Sequence, residues 1–149
     1  MLAANPHFTD EQKRKIHDFI AAAPDADTAI HGDLQFGNGI FVEKDGVRTP
    51  YFIDLGDFCY GYPMFDLGMV YLCCCLNDED WTQMQNHMSN ATARRFWDAF
   101  APEYFGPDAD LDEIEKTVRI YAGLKTLIIE RDTHCAMPQF RAMLEGVVY

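Results

Sequence analysis

Hydrophobic positions along the chain change their spacing twice, and those changes predict its elements. Thr9-Asp10-Glu11-Gln12 is a hydroxyl followed three residues later by Gln, the signature of a capped helix start. Ile16, Phe19 and Ile20 then form one apolar face, and Ala21-Ala22-Ala23-Pro24 ends the helix. Thr28-Ala29-Ile30 is a short apolar stretch before a polar loop. Gly39–Glu43 and Thr49–Ile53 read as two short strands joined through Asp45-Gly46, a strong turn signal. A hairpin closing there returns residue 54 to the neighbourhood of residue 38.

Beyond Asp66 the pattern is helical. Phe65–Leu76 is apolar nearly all round, as expected of one buried helix. Further helices are expected over about Asp78–Met88 and Ala91–Phe100. Leu111, Ile114, Val118, Tyr121, Leu124 and Ile128 mark a long one over about Asp110–Arg131, and a last helix follows Pro138. The fold class expected is α+β, mainly helical, in a single domain over residues 1–149. At 149 residues and 48% hydrophobic, the chain is long and apolar enough to bury a substantial core.

Charge and cysteine usage narrow the function classes. A formal net charge of −12 argues against nucleic acid, whose phosphates call for Lys and Arg, and suits a cationic small substrate. No apolar run reaches a membrane span, and Met1-Leu2-Ala3-Ala4-Asn5-Pro6 lacks the basic and apolar regions of a signal peptide, so a cytoplasmic protein is expected. The five cysteines (Cys59, Cys73, Cys74, Cys75 and Cys135) are odd in number, with an adjacent triplet and no paired metal-ligand spacing. Buried, reduced thiols are the expectation.

The candidate chemistry lies in Ile30-His31-Gly32-Asp33-Leu34-Gln35-Phe36-Gly37-Asn38, Ile53-Asp54-Leu55-Gly56-Asp57 and Pro63-Met64-Phe65-Asp66. Asp33 and Asn38 are five residues apart, as are the catalytic Asp and magnesium-binding Asn of the kinase template. Asp54-Leu55-Gly56 stands where that template has its second magnesium ligand. These linked motifs resemble the aminoglycoside phosphotransferase and choline kinase family, closely over Ile30 to about Leu72 and beyond that only as a general helical pattern.

The resemblance implies a protein-kinase-like C-terminal lobe whose short β-hairpin carries the catalytic and metal-binding loops. Its cofactors would be ATP, or another nucleoside triphosphate, and Mg2+. Asp33 would be catalytic, Asn38 and Asp54 the metal ligands. His31, Gly32, Gly56 and Asp66 would support the loop, Asp66 through backbone N–H groups. The acceptor would be a small molecule bearing a hydroxyl, such as an aminoglycoside, choline or a sugar.

Other polar and aromatic groups compete with blander roles. Asp57 is a candidate substrate contact; with Asp78, Glu79 and Asp80 it could attract a cation or simply form a solvated face. Tyr60, Tyr62, Trp81 and Trp97 could wall a quaternary-ammonium pocket, although core packing explains them more cheaply. A hydrolase metal site on His31, Asp33 and Asp54 would need a second His, and neither His87 nor His134 has suggestive spacing.

Thirty residues precede His31, too few for the nucleotide-holding lobe of such an enzyme, and they contain no Gly-rich loop. Lys13 and Lys15 fall on a predicted helix, not on the strand that carries the phosphate-pairing Lys. The N-terminal lobe is therefore expected to be absent. The chain would be a fragment, a natural one-lobe protein completed by a partner or second copy, or a non-catalytic small-molecule or protein-binding module on the same scaffold. A homo-oligomer is expected from the apolar surface left open.

Overall fold

The computed structural model describes residues 5–134 and 136–149. The expectations for Met1–Ala4 and for Cys135 fall outside them. Ten elements can be named: α1 (Asp10–Ala21), β1 (Ala29–Ile30), β2 (Gly39–Lys44), β3 (Val47–Phe52), β4 (Cys59–Tyr60), α2 (Met64–Tyr71), α3 (Glu79–Asn86), α4 (Asn90–Phe105), α5 (Leu111–Thr133) and α6 (Glu145–Val148). The architecture is mainly helical, with two separate two-stranded antiparallel sheets. No helix among the described residues is long and apolar enough to cross a membrane.

The reciprocal cap of α1 forms: Gln12 N donates to Thr9 Oγ1 at 3.2 Å, and Thr9 N donates to Gln12 Oε1 at 3.0 Å. Ile16 is buried and Phe19 packs against Tyr121, whereas Ile20 lies on the exposed side. β2 and β3 pair from Gly39↔Phe52 to Lys44↔Val47. Asp45 and Gly46 both have positive φ, as a two-residue turn matching strand twist requires. The second strand ends one residue earlier than expected: Ile53 N still donates to Asn38 O at 2.9 Å, but Asn38 N is committed to Gln35 O at 3.1 Å within a 3-10 turn and does not return the bond.

The sequence pattern missed the β1–β4 pair. Each strand has two residues, Ala29↔Tyr60 and Ile30↔Cys59, too few to show alternation. Phe65–Leu76 is also not one α-helix. α2 stops at Tyr71 and a π-helical turn follows over Leu72–Leu76, with Asn77 N donating to Leu72 O. α4 runs five residues past its expected end, through Pro102. The segment after Pro138 is 3-10 helical to Leu144 and becomes α-helical only in α6.

α2 and α5 form the central contact. Gly68 faces the α5 backbone so closely that an added Cβ would stand 2.6 Å from the carbonyl carbon of Tyr121 and 2.7 Å from Ala122 N. Glu115 of α5 then gathers two other helices. It accepts hydrogen bonds from Tyr71 Oη at the end of α2 and from Trp97 Nε1 of α4, both at 2.9 Å. Leu67, Val70, Leu72, Trp97, Val118 and Ala122 fill one part of the core. Phe8, Ile16, Tyr121, Leu124, Leu144 and Val148 fill another. Gly68→Ala should therefore cost about 1–3 kcal/mol by overpacking. Gly146→Ala, whose Cβ meets nothing within 4 Å, should not destabilise the fold; urea unfolding of both variants checks the contrast.

Cys73 and Cys74 are buried free thiols, and Cys75 is half-buried. Cys59, expected inside, is exposed on β4. Burial pushes the Cys73 and Cys75 thiols up to about 12 from the ordinary value of 9.0, and raises Cys74 as well. An unfolded chain releases these protons first. Between about 9 and 12 the native state therefore holds more protons, and its stability should fall as pH rises. Denaturant titrations across that range should show a shallower fall in a Cys73→Ala/Cys75→Ala variant.

Candidate active site

Asp66 lies in the first turn of α2, where the helix N-terminus favours a negative charge. Its Oδ2 accepts a hydrogen bond from His31 N at 2.7 Å and its Oδ1 one from Gly32 N at 2.8 Å. One buried carboxylate thus fixes two consecutive peptide groups just before Asp33. Gly32 has φ +82°, and an added Cβ would lie 2.5 Å from Asp57 O, so this position demands glycine twice over.

His31 is buried and uses both ring nitrogens within the scaffold. Nε2 lies 2.9 Å from Ile53 O, and Asp33 N donates to Nδ1 at 3.3 Å. A carbonyl partner calls for a donor and a peptide N–H for an acceptor, which fits the tautomer with its hydrogen on Nε2. The imidazole brackets the Asp33 loop against the end of the hairpin.

Asp33 is half-buried at the centre of the loop. Its Oδ2 accepts from Gln35 Nε2 at 2.9 Å and from Asn38 Nδ2 at 3.2 Å; Asn38 Nδ2 also donates to Asp33 O at 2.9 Å. Asn38 closes a 3-10 turn over Phe36–Asn38, and committing its NH2 to Asp33 leaves Oδ1 as the acceptor end of the amide. Its backbone carbonyl takes the Ile53 N–H, which places Asp54 at the same end of the hairpin.

Asp54 is exposed, with φ 59° and ψ 60°, a left-handed conformation uncommon outside glycine. Gly56 follows it within a 3-10 turn over Leu55–Asp57. Asp57 is exposed too, and its backbone packs on Gly32.

The structure thus brings His31, Gly32, Asp33, Asn38, Asp66 and the end of β3 together. It scatters the aromatic candidates: Trp97 is buried against Tyr71, Tyr62 packs edge-on against Tyr121, and Tyr60 is exposed. Asp78 caps α3 through Trp81 N at 2.7 Å, and Glu79 accepts from Asn90 N at 2.9 Å. Beside Asp33 opens a cavity of about 530 Å³ with a largely apolar wall (Met69, Leu72, Trp81, Ile129 and Phe140 among others) and a polar side formed by Asp33, Gln35, Asn77, Asp78 and Asn86. Gln35 and Cys73 also wall a smaller apolar cavity of about 280 Å³ beneath the hairpin. Among the described residues, no cluster of three or more His, Cys, Asp or Glu side chains is arranged for a metal ion.

Sequence reasoning missed Lys125. This buried α5 residue sends its ammonium to Asp33 Oδ1 at 3.1 Å and donates to Gly32 O at 2.6 Å. Its signal was a lysine inside the apolar run Leu124–Ile129, on a helix whose neighbouring positions all turn inward. Gln35 was missed as well, and only its place two residues after Asp33 could have marked it.

The chain belongs to the phosphotransferase enzyme family, whose sequence model matches residues 3–116. The match covers the loop, the hairpin and α2, and reaches into the first turns of α5. Searches of curated proteins and of solved structures found no match.

Asp66→Ala should leave the His31 and Gly32 N–H groups without an acceptor, at about 1–3 kcal/mol for each orphaned donor. Urea unfolding should show that loss, and hydrogen exchange should report faster opening at those two amides.

Proposed function

We propose that this chain provides the catalytic and acceptor side of an ATP-dependent small-molecule phosphotransferase, on a protein-kinase-like C-terminal lobe. Family membership supports the reaction class. The observation that carries the assignment of residues is the direct bonding of Asp33 to Asn38, and of Asn38 to the strand end that bears Asp54.

Asp33 is the residue that accepts and orients the acceptor hydroxyl. Gln35 Nε2, at 2.9 Å from Asp33 Oδ2, stands where that hydroxyl would donate, and both residues line the larger cavity. An acceptor reaching Asp33 through this cavity displaces the Gln35 amide and meets Asn77, Asp78 and Asn86 on one side and a largely apolar wall on the other. Asn38 and Asp54 offer one amide and one carboxylate oxygen, hard donors of the kind magnesium takes while water and nucleotide phosphates complete its shell. Once bound, that ion would supply charge neutralisation at the phosphates. The protein's own part is positioning: His31 and Asp66 hold the loop, and the loop holds Asp33.

A binding module on the same scaffold is the second reading. Both hairpin strands are exposed throughout, and Phe41, Val47, Phe52 and Phe58 present large apolar side chains to solvent. Such a surface favours association with a second copy or with a partner that supplies a nucleotide-holding half. Sedimentation over a wide concentration range tests this, and a monomer throughout counts against self-association.

Magnesium-dependent ATP consumption with aminoglycosides, choline and sugars separates the two readings. Asp33→Asn should lower turnover by about 100-fold or more while retaining the fold. Failure to bind nucleotide with magnesium at millimolar concentration would defeat the enzymatic reading for this chain by itself.

A further inference from the structure

We propose that Lys125 is the protein cation of the transfer site: it pins one oxygen of Asp33 and presents its ammonium to the terminal phosphate of the nucleotide. The inference rests on the phosphotransferase reading above and adds a residue that the motif comparison did not supply. It starts from an imbalance of charge. The loop cluster carries the carboxylates of Asp33, Asp54, Asp57 and Asp66, and Asp78 lines the adjoining cavity, whose lining includes neither Lys nor Arg. A triphosphate brought next to Asp33 would meet this negative field, and the chemistry of transfer spreads further charge over the phosphoryl oxygens. Among the described residues, Lys125 is the cation paired with Asp33.

Its surroundings favour a role beyond fastening. The Lys125 side chain is only 8% exposed, so its ammonium is largely removed from water. Burying such a charge is expensive, and a buried ion pair is often no more stabilising than well-packed apolar residues. α5 already packs on α2 through Gly68 and reaches Tyr71 and Trp97 through Glu115, so this helix does not need an ion pair to hold it in place.

The geometry supplies the rest. An ammonium has three N–H donors. One reaches Gly32 O at 2.6 Å and another Asp33 Oδ1 at 3.1 Å, which leaves a third. Because Lys125 engages Oδ1, the acceptor hydroxyl is directed to Oδ2, where Gln35 now sits. In-line transfer brings the phosphorus to that hydroxyl, within reach of an ammonium already bonded to the same carboxylate.

Binding, with no turnover involved, tests this. Affinities of the full chain for the magnesium complexes of ADP and of the β,γ-imido analogue of ATP are measured by calorimetry, for the unaltered chain, Lys125→Met and Lys125→Arg. Circular dichroism and thermal melting establish that each variant folds. Loss of a charge-assisted contact predicts that Lys125→Met weakens the ATP analogue by about tenfold and leaves ADP within about twofold, while Lys125→Arg retains most of the preference. Equal loss for both nucleotides, or loss for neither, overturns the proposal and makes Lys125 a fastening between α5 and the loop. If the unaltered chain binds neither nucleotide, the phosphotransferase reading fails for this chain and the Lys125 assignment falls with it.

Discussion

The site depends on one carboxylate holding two peptide N–H groups. Asp66 belongs to a buried helix, and the peptides it holds belong to a loop thirty-odd residues earlier in the chain. Charge-assisted bonds of this kind are stronger than neutral ones, and burial shields them from competing water. They set the backbone direction at His31 and Gly32, and hence where Asp33 starts. Everything downstream inherits that direction: the His31 bracket to Ile53, the Asn38 bonds to Asp33, and the approach of Lys125.

The helix that carries Asp66 is itself held with little freedom. Gly68, two residues on, brings the α2 backbone against Tyr121 and Ala122 of α5, and no side chain of its own intervenes. The same α5 delivers Lys125 four residues beyond Tyr121. Core packing and site geometry are thus parts of one arrangement, since the contact that fixes α2 against α5 also fixes Asp66 relative to Lys125. The hairpin is different. Its strands bury almost nothing and meet the scaffold chiefly at its open end, through Asn38 and Ile53. A rigid helical base therefore carries an exposed ribbon, with the candidate residues at the seam between them.

Much of this was legible in the residues. The capping box of α1, the Asp45-Gly46 turn, the long α5 and the helical character after Asp66 all follow from local rules, and the structure contains each. The approach of Asn38 to Asp54 was legible too, because a two-residue turn between strands of matched length permits little else. What escaped had no local signature. β1 and β4 are too short to alternate, and the π-helical turn at Leu72–Leu76 has the same apolar composition as an α-helix. Ile20 fits the spacing of a buried face and still lies outside, because a helix at the surface buries a narrower stripe than its pattern suggests.

Sequence alone determined which short-range elements form and which residues carry hard oxygen ligands at kinase-like spacing, since backbone propensity, turn chemistry and motif offsets act over a few residues. Only tertiary structure decided what Asp33 touches. Lys125 lies 92 positions away along the chain and becomes its ionic partner through the packing of α5 on α2, as no spacing rule could show. The folded chain also decided that Trp97 belongs to the core while Trp81 walls the cavity, because burial is set by which helix faces meet. Local chemistry named the candidate carboxylates; long-range packing gave them their neighbours.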